Sequence, residues 1–518
     1  MALPLHTIAF IQPNLYKDSV ALMRVAQRLL AMPDVVNATL QMGNPANREI
    51  LQEAGLLGSA VKDAGPSDIM VVLQARTRAA CEAASAESKA QLAGQDGTPG
   101  TAHDDASQAI VASNIGMGLA AMGEANIAQI SVPGAYAGAE ALKAVKLGLN
   151  VFLFSDNVPL AQEVALKQEA ARRGLLVMGP DCGTAIVAGV PLGFANNVRK
   201  GSIGLVAASG TGLQEVTTQI HHLGGGVSHA IGTGGRDTYA AVDGATMLQG
   251  IALLARDPAT RVIAIVSKPP APEVAAKVMA ALRATGKPAV VLFLGGQAPA
   301  GSDPTPRIRV AHALIDCAAT AVALAGVKAQ PARHYAMPHK PAFASTQKYL
   351  RALYSGGTYA AEAQVLWAGS GLQVWSNVPL DPAFTLPHPR LASVGHSALD
   401  LGDDAFTVGR PHPMIDQGAR IERLLKEAAD TSVRVILLDV VIGWGAHADP
   451  AAELAVAITQ AKRIAHKGKR HLAVIGFVCG TELDPQGLAT QEAKLCAAGM
   501  VLAGNSANAA WLAREWLR

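Results

Sequence analysis

Cysteine is scarce in this chain: five in 518 residues, at 81, 182, 317, 479 and 496. An odd, scattered set with no zinc-ligand spacing excludes a disulfide framework and a zinc-ribbon type of site, and points to a reducing compartment. Aromatics make up only 4% of the residues, so the cores must be packed from Ala, Val and Leu. Neither sign of charge dominates: 43 Lys and Arg stand against 40 Asp and Glu, a net +3. That balance leaves no electrostatic footprint for nucleic acid. No apolar run reaches about 18 residues, and no basic segment followed by an apolar one opens the chain. Neither a membrane span nor a leader is expected, and the expected location is cytoplasmic.

Hydrophobic residues make up 50% of the chain, enough for sizeable cores, and the length suggests roughly three or four domains. The 51 glycines fall at the ends of segments, as in α/β turns, and not in a collagen-like period. Residues 1–91 alternate short apolar runs ("TIAFIQ", "VVNATLQMG", "DIMVVLQA") with amphipathic stretches over 18–31, 46–57 and 76–91, predicting a small α/β domain. A polar, Gly/Pro-punctuated stretch over 92–107 opens a segment of linker and helix that ends at 124. Over 125–200, "NIAQISVP", "NVFLFS" and "LLVMGP" alternate with helical patterns, the period of a parallel Rossmann-like sheet. A second such unit over 201–326 carries "SIGLVAA", "GVSHAIG", "RVIAIVS" and "PAVVLFLGG". A proline-punctuated linker over 327–345 leads to a third unit over 346–518, with "RVILLDVVIG", "HLAVIGFVCG" and "MVLAG". The fold class is α/β throughout.

Within "VAASGTGLQE", residues 206–215, an apolar strand runs through Ser209-Gly210-Thr211 directly into a helical pattern. The unpaired N–H groups and positive dipole end of such a helix start suit a phosphate or carboxylate. The Gly-Lys-Ser/Thr ending of a Walker loop is missing. The last two units also look duplicated: an ungapped alignment pairs Asp243 with Asp416, Asp257 with Asp430 and Arg261 with Arg434. On that basis Gly443-Trp444-Gly445, after its own strand, is expected to be the equivalent helix start. The two turns are expected to converge on one anion across a cleft.

Several segments resemble the alpha subunit of succinyl-CoA synthetase and its acyl-CoA synthetase relatives: "MGPDCGTAI", "GSIGLVAASGTGLQEV" and "GTGGRDTYAAVDGATML". "DVVIGWGAHADPAAELA" resembles the beta subunit's helix start. With "LYKDSVALM", "LYSGGTYAAEAQ" and "GRPHPMID", nearly the whole chain resembles the FdrA proteins, a fused branch of that superfamily. The resemblance implies a Rossmann-like CoA-binding-type domain followed by two flavodoxin-like ligase domains, and a phosphoryl group at the helix starts. The departures are informative. Where the synthetases carry a phosphorylated histidine, this chain reads Leu294-Gly295-Gly296-Gln297-Ala298-Pro299. Where they carry a supporting glutamate, it reads Val266-Ser267-Lys268-Pro269-Pro270, and no ATP-grasp domain is visible. The FdrA resemblance implies one subunit of a cytoplasmic oxamate carbamoyltransferase of purine-ureide breakdown, exchanging carbamoyl phosphate and oxamate for oxalurate and phosphate. The alternatives are an ADP-forming CoA-ligase subunit working with a nucleotide-binding partner, and a non-catalytic scaffold. Other subunits of the same enzyme are the expected partners, in an oligomer.

Lys268, His412 and His447 are the candidate catalytic residues, and Ser209, Gly210, Thr211, Gly443, Trp444 and Gly445 the candidate phosphate cradle. Arg236, Asp237, Arg410 and Asp416 are candidates for holding substrate. Cys182 reads as a packed thiol, and His221-His222 as a helix C-terminus. No metal site is expected. CoA is left open as a ligand, because "SVPGAYAGAE" (131–140) has basic residues only later, at Lys143 and Lys146.

Overall fold

The computed structural model describes residues 5–15, 17, 19–44, 47–48, 51–52, 55–93, 112–296, 307–333, 335, 338–407 and 410–518. The chain divides into two units, residues 1–110 with 407–411, and residues 111–406 with 412–518.

The first unit contains β1 (His6–Gln12), β2 (Val35–Met42) and β3 (Ile69–Ala75), in the order β1-β3-β2. The central strand is antiparallel to both neighbours. Because β3 lies between two partners and two covered faces, it is almost continuously apolar. Leu29, Leu40, Leu73 and Cys81 pack on one face, Leu51, Val61, Met70 and Val72 on the other. The helices Ser19–Leu30 and Arg78–Leu92 follow the sequence pattern, the second capped by Thr77 through Ala80 N. Of the helix expected over 46–57, residues 47–48 and 51–52 are described and helical. Most of the 92–107 stretch lies outside the described residues.

The second unit holds three sheets. β4 (Ile127–Ile130), β5 (Asn150–Leu153) and β6 (Val177–Met178) form a parallel sheet in that order, crossed by the helices Gly134–Lys146 and Leu160–Arg173. The hairpin β7 (Thr184–Val187) and β8 (Val190–Gly193) joins the next sheet, where β7 runs antiparallel to β10 (Val227–Gly232). That sheet also contains β9 (Lys200–Ala207), β11 (Val262–Ser267), β12 (Ala289–Phe293) and β13 (Ile308–Val310). Its order is β13-β12-β11-β9-β10-β7-β8. The last sheet comprises β14 (Tyr349–Tyr354), β15 (Val374–Trp375), β16 (His396–Asp400), β17 (Val433–Val441), β18 (Ala473–Cys479) and β19 (Val501–Leu502). Its order is β15-β16-β14-β17-β18-β19, parallel throughout.

Apart from the terminal hairpin β7–β8 and the edge strand β15, both large sheets have the flavodoxin-like order, second-first-third-fourth-fifth. β9 and β14 are therefore equivalent first strands, and β11 and β17 equivalent third strands. The helices that follow the first strands, Gly210–His222 and Gly357–Ala368, are buried on nearly every side. They lie in one core shared by the two sheets, built from residues such as Leu205, Leu213, Leu350, Trp367 and Phe477. Alanines and β-branched residues dominate this core, as the shortage of aromatics required.

Candidate functional site

The two buried helices meet at their N-termini. Ser209 caps the first: its Oγ accepts from Gly212 N at 3.0 Å and is hydrogen-bonded to Thr358 Oγ1 in the first turn of the other helix. A Cβ placed on Gly356 would collide with Thr211, and one on Gly212 would lie 3.1 Å from Thr358 Cγ2. Small residues on both sides therefore allow the two starts to touch. The second turn is held from below, where Ser355 donates to the buried Asp439 from its N at 2.8 Å and also from its hydroxyl. Arg420, itself buried, completes this support at 3.2 Å from Asp439. Two helix dipoles thus present positive ends to one place.

Two charged side chains reach that place. Lys268 is exposed, at the carboxyl end of third strand β11, and Asp400 ends β16. A Cβ on Gly357 would lie 2.7 Å from Asp400 Oδ2 and 3.4 Å from Lys268 Nζ, so the ammonium and carboxylate both border a residue without a side chain. Burial pushes the Asp400 carboxyl up to about 7, and Asp403 and Asp439 add to the rise; the Gly402 N–H and Lys268 oppose it. His412 faces Asp400 across Gly402, where a Cβ would sit 2.6 Å from His412 Nε2 and 3.2 Å from Asp400 Oδ1. Its Nδ1 accepts from Met414 N at 3.2 Å, and burial, then Arg420, pushes the imidazole down to about 4. His412 is therefore neutral, with its proton on Nε2.

Gly443-Trp444-Gly445 corrects an expectation. It follows third strand β17, so its structural equivalent is the Lys268 turn, and the equivalent of Ser209 is Gly356. It does not start a helix: that helix is Pro450–Lys467, capped by Asp449. The N–H groups meant for an anion already have partners, Gly443 N on Gln486 Oε1 at 3.0 Å and Trp444 N on Ala195 O at 2.9 Å. Trp444 Nε1 donates to Asn197 at 2.9 Å. His447 is likewise a local cap: its Nδ1 accepts from Asp449 N at 3.0 Å and its Nε2 lies 3.5 Å from Glu453.

Arg236 and Asp237, expected to hold substrate, have partners within the fold. The Asp237 carboxylate accepts from Thr246 N and Met247 N at 3.0 and 2.9 Å, starting the helix Ala245–Arg256, and pairs with buried Lys167 at 2.8 Å. Lys167 and Arg236 in turn pair with Glu163, at 3.0 and 2.9 Å. These charges satisfy one another and tie the β10 turn to the helix Leu160–Arg173. Asp416 Oδ1 accepts from Gly418 N at 2.7 Å, in the turn that leads into the helix Gly418–Ala429. Arg410 belongs to the first unit, where its N donates to Thr407 O at 3.0 Å, while His412 and Asp416 belong to the second. Cys182 is buried, and burial drives its thiol up to about 12, as suits a packed thiol. His221 accepts from Arg199 N on one ring nitrogen and meets Glu482 on the other. Lys143, near the segment left open for CoA, pairs with Glu140 at 2.6 Å.

The residues missed from sequence are Gly356, Gly357, Thr358 and Asp400. The first three had a signal: Ser355-Gly356-Gly357-Thr358 repeats the Ser-Gly-Thr-Gly composition of the first turn, after a strand with a buried charge. Asp400 had none.

Residues 353–515 match the CoA-ligase family and 198–295 the CoA binding domain, while 5–109 match the family described as AllF, heavy metal-associated domain. The uncharacterised protein YahF of Escherichia coli (strain K12) is 41% identical over 515 residues, 98% of each chain. The chain belongs to the same family as YahF. Its relatives include the ADP-forming sulfoacetate-CoA ligase subunit SqwL of Acholeplasma sp, 30% identical over 170 residues, 31% of this chain and 55% of that one. This chain thus spans about half the length of SqwL. A solved dinucleotide-forming acetyl-coenzyme A synthetase 1 of Ca. Korarchaeum cryptofilum aligns over 76% of this chain and 83% of its own, at 16% identity and a TM-score of 0.32. Within the second unit of this YahF relative, the two large sheets thus carry the segments that are similar to the CoA binding domain and to the CoA-ligase family. The described residues of its first unit do not fit a heavy metal: Cys81 is the one cysteine in the matched span and is buried, its Sγ 3.4 Å from His6 O and 3.5 Å from Leu73 O. Among the described residues no three His, Cys, Asp or Glu side chains come together to hold an ion, and no helix is long and apolar enough to cross a membrane.

Proposed function

We propose that this chain is the acyl-transferring subunit of a CoA-ligase-type enzyme. It holds an acyl phosphate where Ser209, Thr358 and Lys268 meet, and passes the acyl group to CoA, with nucleotide chemistry on a separate subunit. The observation that carries this reading is the meeting of the two helix starts beneath Lys268. Dipole ends, hydroxyls and an ammonium are what a departing phosphate requires, and transfer from an acyl phosphate needs positioning and charge stabilisation without a covalent histidine. SqwL, an ADP-forming CoA-ligase subunit by name, supports the choice of CoA. Calorimetry with inorganic phosphate and with CoA, followed by phosphate release from acetyl phosphate in the presence of CoA, tests the reading. It fails if neither ligand binds.

A second reading shares the phosphate cradle and changes the acceptor: carbamoyl transfer between carbamoyl phosphate and oxamate, as in the FdrA resemblance. It is favoured by the AllF-type match over 5–109 and by the lack of histidine in Leu294–Pro299. Phosphate release from carbamoyl phosphate that depends on oxamate and not on CoA would select it.

A further inference from the structure

We propose that Asp400 is the proton acceptor of this cleft, taking the proton of the attacking nucleophile through Oδ2. The inference rests on the transfer reading above. Asp400 is fixed for such a role. Its backbone is clamped on both sides by Asn377, whose Oδ1 accepts from Asp400 N at 3.0 Å and whose Nδ2 donates to Asp400 O at 2.9 Å. Its Oδ1 accepts from Gly402 N at 2.9 Å, which leaves Oδ2 turned toward the Gly357 helix start and Lys268.

The other groups of the cleft are matched to different work. Lys268 is a donor. His412 has Nδ1 occupied by Met414 N, so its remaining nitrogen also donates. The Ser209 and Thr358 hydroxyls bond to each other. A carboxylate is the one acceptor-only side chain among these. The groups that set its charge are the Gly402 N–H, Lys268 after β11, Asp403 after β16 and Asp439 on β17, and the neutral His412 faces it across Gly402. Burial with two neighbouring carboxylates brings Asp400 to about 7, the range in which a general base is effective at neutral pH.

The step balances. The nucleophile's sulfur or nitrogen forms a bond to the acyl carbon while its proton passes to Asp400 Oδ2. The carbon–oxygen bond to phosphate breaks with its electron pair on the phosphate oxygen. The proton then passes from Asp400 to the departing phosphate or to water.

The test uses the full chain in the complex in which it is purified, with inorganic phosphate, acetyl phosphate, carbamoyl phosphate, CoA and oxamate as probes. Asp400→Asn should bind inorganic phosphate within threefold of the wild type, or more tightly. Its transfer rate should fall by about 10²–10⁴-fold. The wild-type rate should rise with pH through about 7, and this limb should vanish in the Asn variant. Formate should restore part of the rate to Asp400→Ala. An Asn variant that keeps its rate within threefold and keeps the acid limb overturns the role of Asp400, while wild-type binding and transfer leave the general reading standing. A rate lost together with phosphate affinity and thermal stability, without formate rescue, also overturns it, as a structural role. A wild type that neither binds phosphate nor transfers with any probe overturns both.

Discussion

Ser209 and Thr358, 149 residues apart, share a hydrogen bond between their hydroxyls at the starts of two equivalent helices. Both sheets have the same strand order, and the turns that follow their equivalent first strands lie against one another. Each helix start contributes about 0.3–2 kcal/mol toward an anion.

Gly357 is the position at which this cradle is most easily closed. A side chain there meets Asp400 Oδ2 and Lys268 Nζ, at 2.7 and 3.4 Å from its first carbon. Gly357→Val should weaken phosphate binding at least tenfold by calorimetry. Gly210→Ala, whose Cβ would meet Thr184 Oγ1 at an ordinary 3.4 Å, should weaken it far less. Equal losses in the two variants would place the anion elsewhere.

No phosphohistidine should form on this chain. The stretch Leu294–Pro299 has no histidine, its Gln297–Pro299 part lying outside the described residues. His447 has both ring nitrogens engaged locally, and His412 holds Met414 N on one of its own. Incubation with radiolabelled ATP or carbamoyl phosphate should leave no acid-labile, base-stable label. A label mapped to His412 or His447 would contradict this.

Most strands were legible because they are short, continuous apolar runs: β9, β10, β11, β12, β17 and β18 all stand out in the sequence. β14 and β16 do not. β14 carries Arg351, buried in pairs with Glu427 at 3.0 Å and Asp430 at 3.3 Å, so a charge interrupts its apolar pattern. β16 is five residues long and ends in Asp400. With the first strand of the second copy unseen, the matched Asp and Arg pairs anchored the alignment on the third strand instead. An alignment on the third strand points to Gly443, whereas the residue equivalent to Ser209 is Gly356. The β7–β8 hairpin was also missed, since "TAIVAGVPLG" is broken by a Gly and a Pro. Asp400 became visible only when the fold placed it beside Lys268.

Asp237 should be a residue of stability and not of binding. Its carboxylate is fully buried between two backbone N–H groups and Lys167. Removing it leaves Lys167 with Glu163 as its one carboxylate partner and the Thr246 and Met247 N–H groups without theirs; breaking a buried pair costs about 3–5 kcal/mol. Asp237→Ala should lower the unfolding free energy by that order and leave the phosphate affinity of the folded fraction unchanged. Loss of affinity without loss of stability would return Asp237 to the substrate site.

Glu215 should make the shared core sensitive to alkali. It lies on the first of the two paired helices, with no exposed surface, and accepts from Ser506 N at 3.2 Å and Gln219 Nε2 at 3.3 Å. Burial, with a contribution from nearby Glu362, pushes its carboxyl from the ordinary 4.5 up to about 8, against the opposing hydrogen bonds from Ser506, Cys479 and Gln219. Between these two values the folded chain keeps a proton that the unfolded chain has released. Its contribution to stability is therefore complete below about pH 4.5 and is lost as pH rises through about 8. Glu215→Gln keeps the shape and cannot ionise. The variant's unfolding midpoint should match the wild type's near pH 5 and exceed it progressively toward pH 9, by roughly 1 °C for each kcal/mol relieved in a unit of this size. Thermal unfolding followed by circular dichroism from pH 5 to 9 measures the difference between the two proteins. Parallel curves over that range would mean that Glu215 is ionised in the fold, and that the two helices hold a buried charge instead of a buried acid.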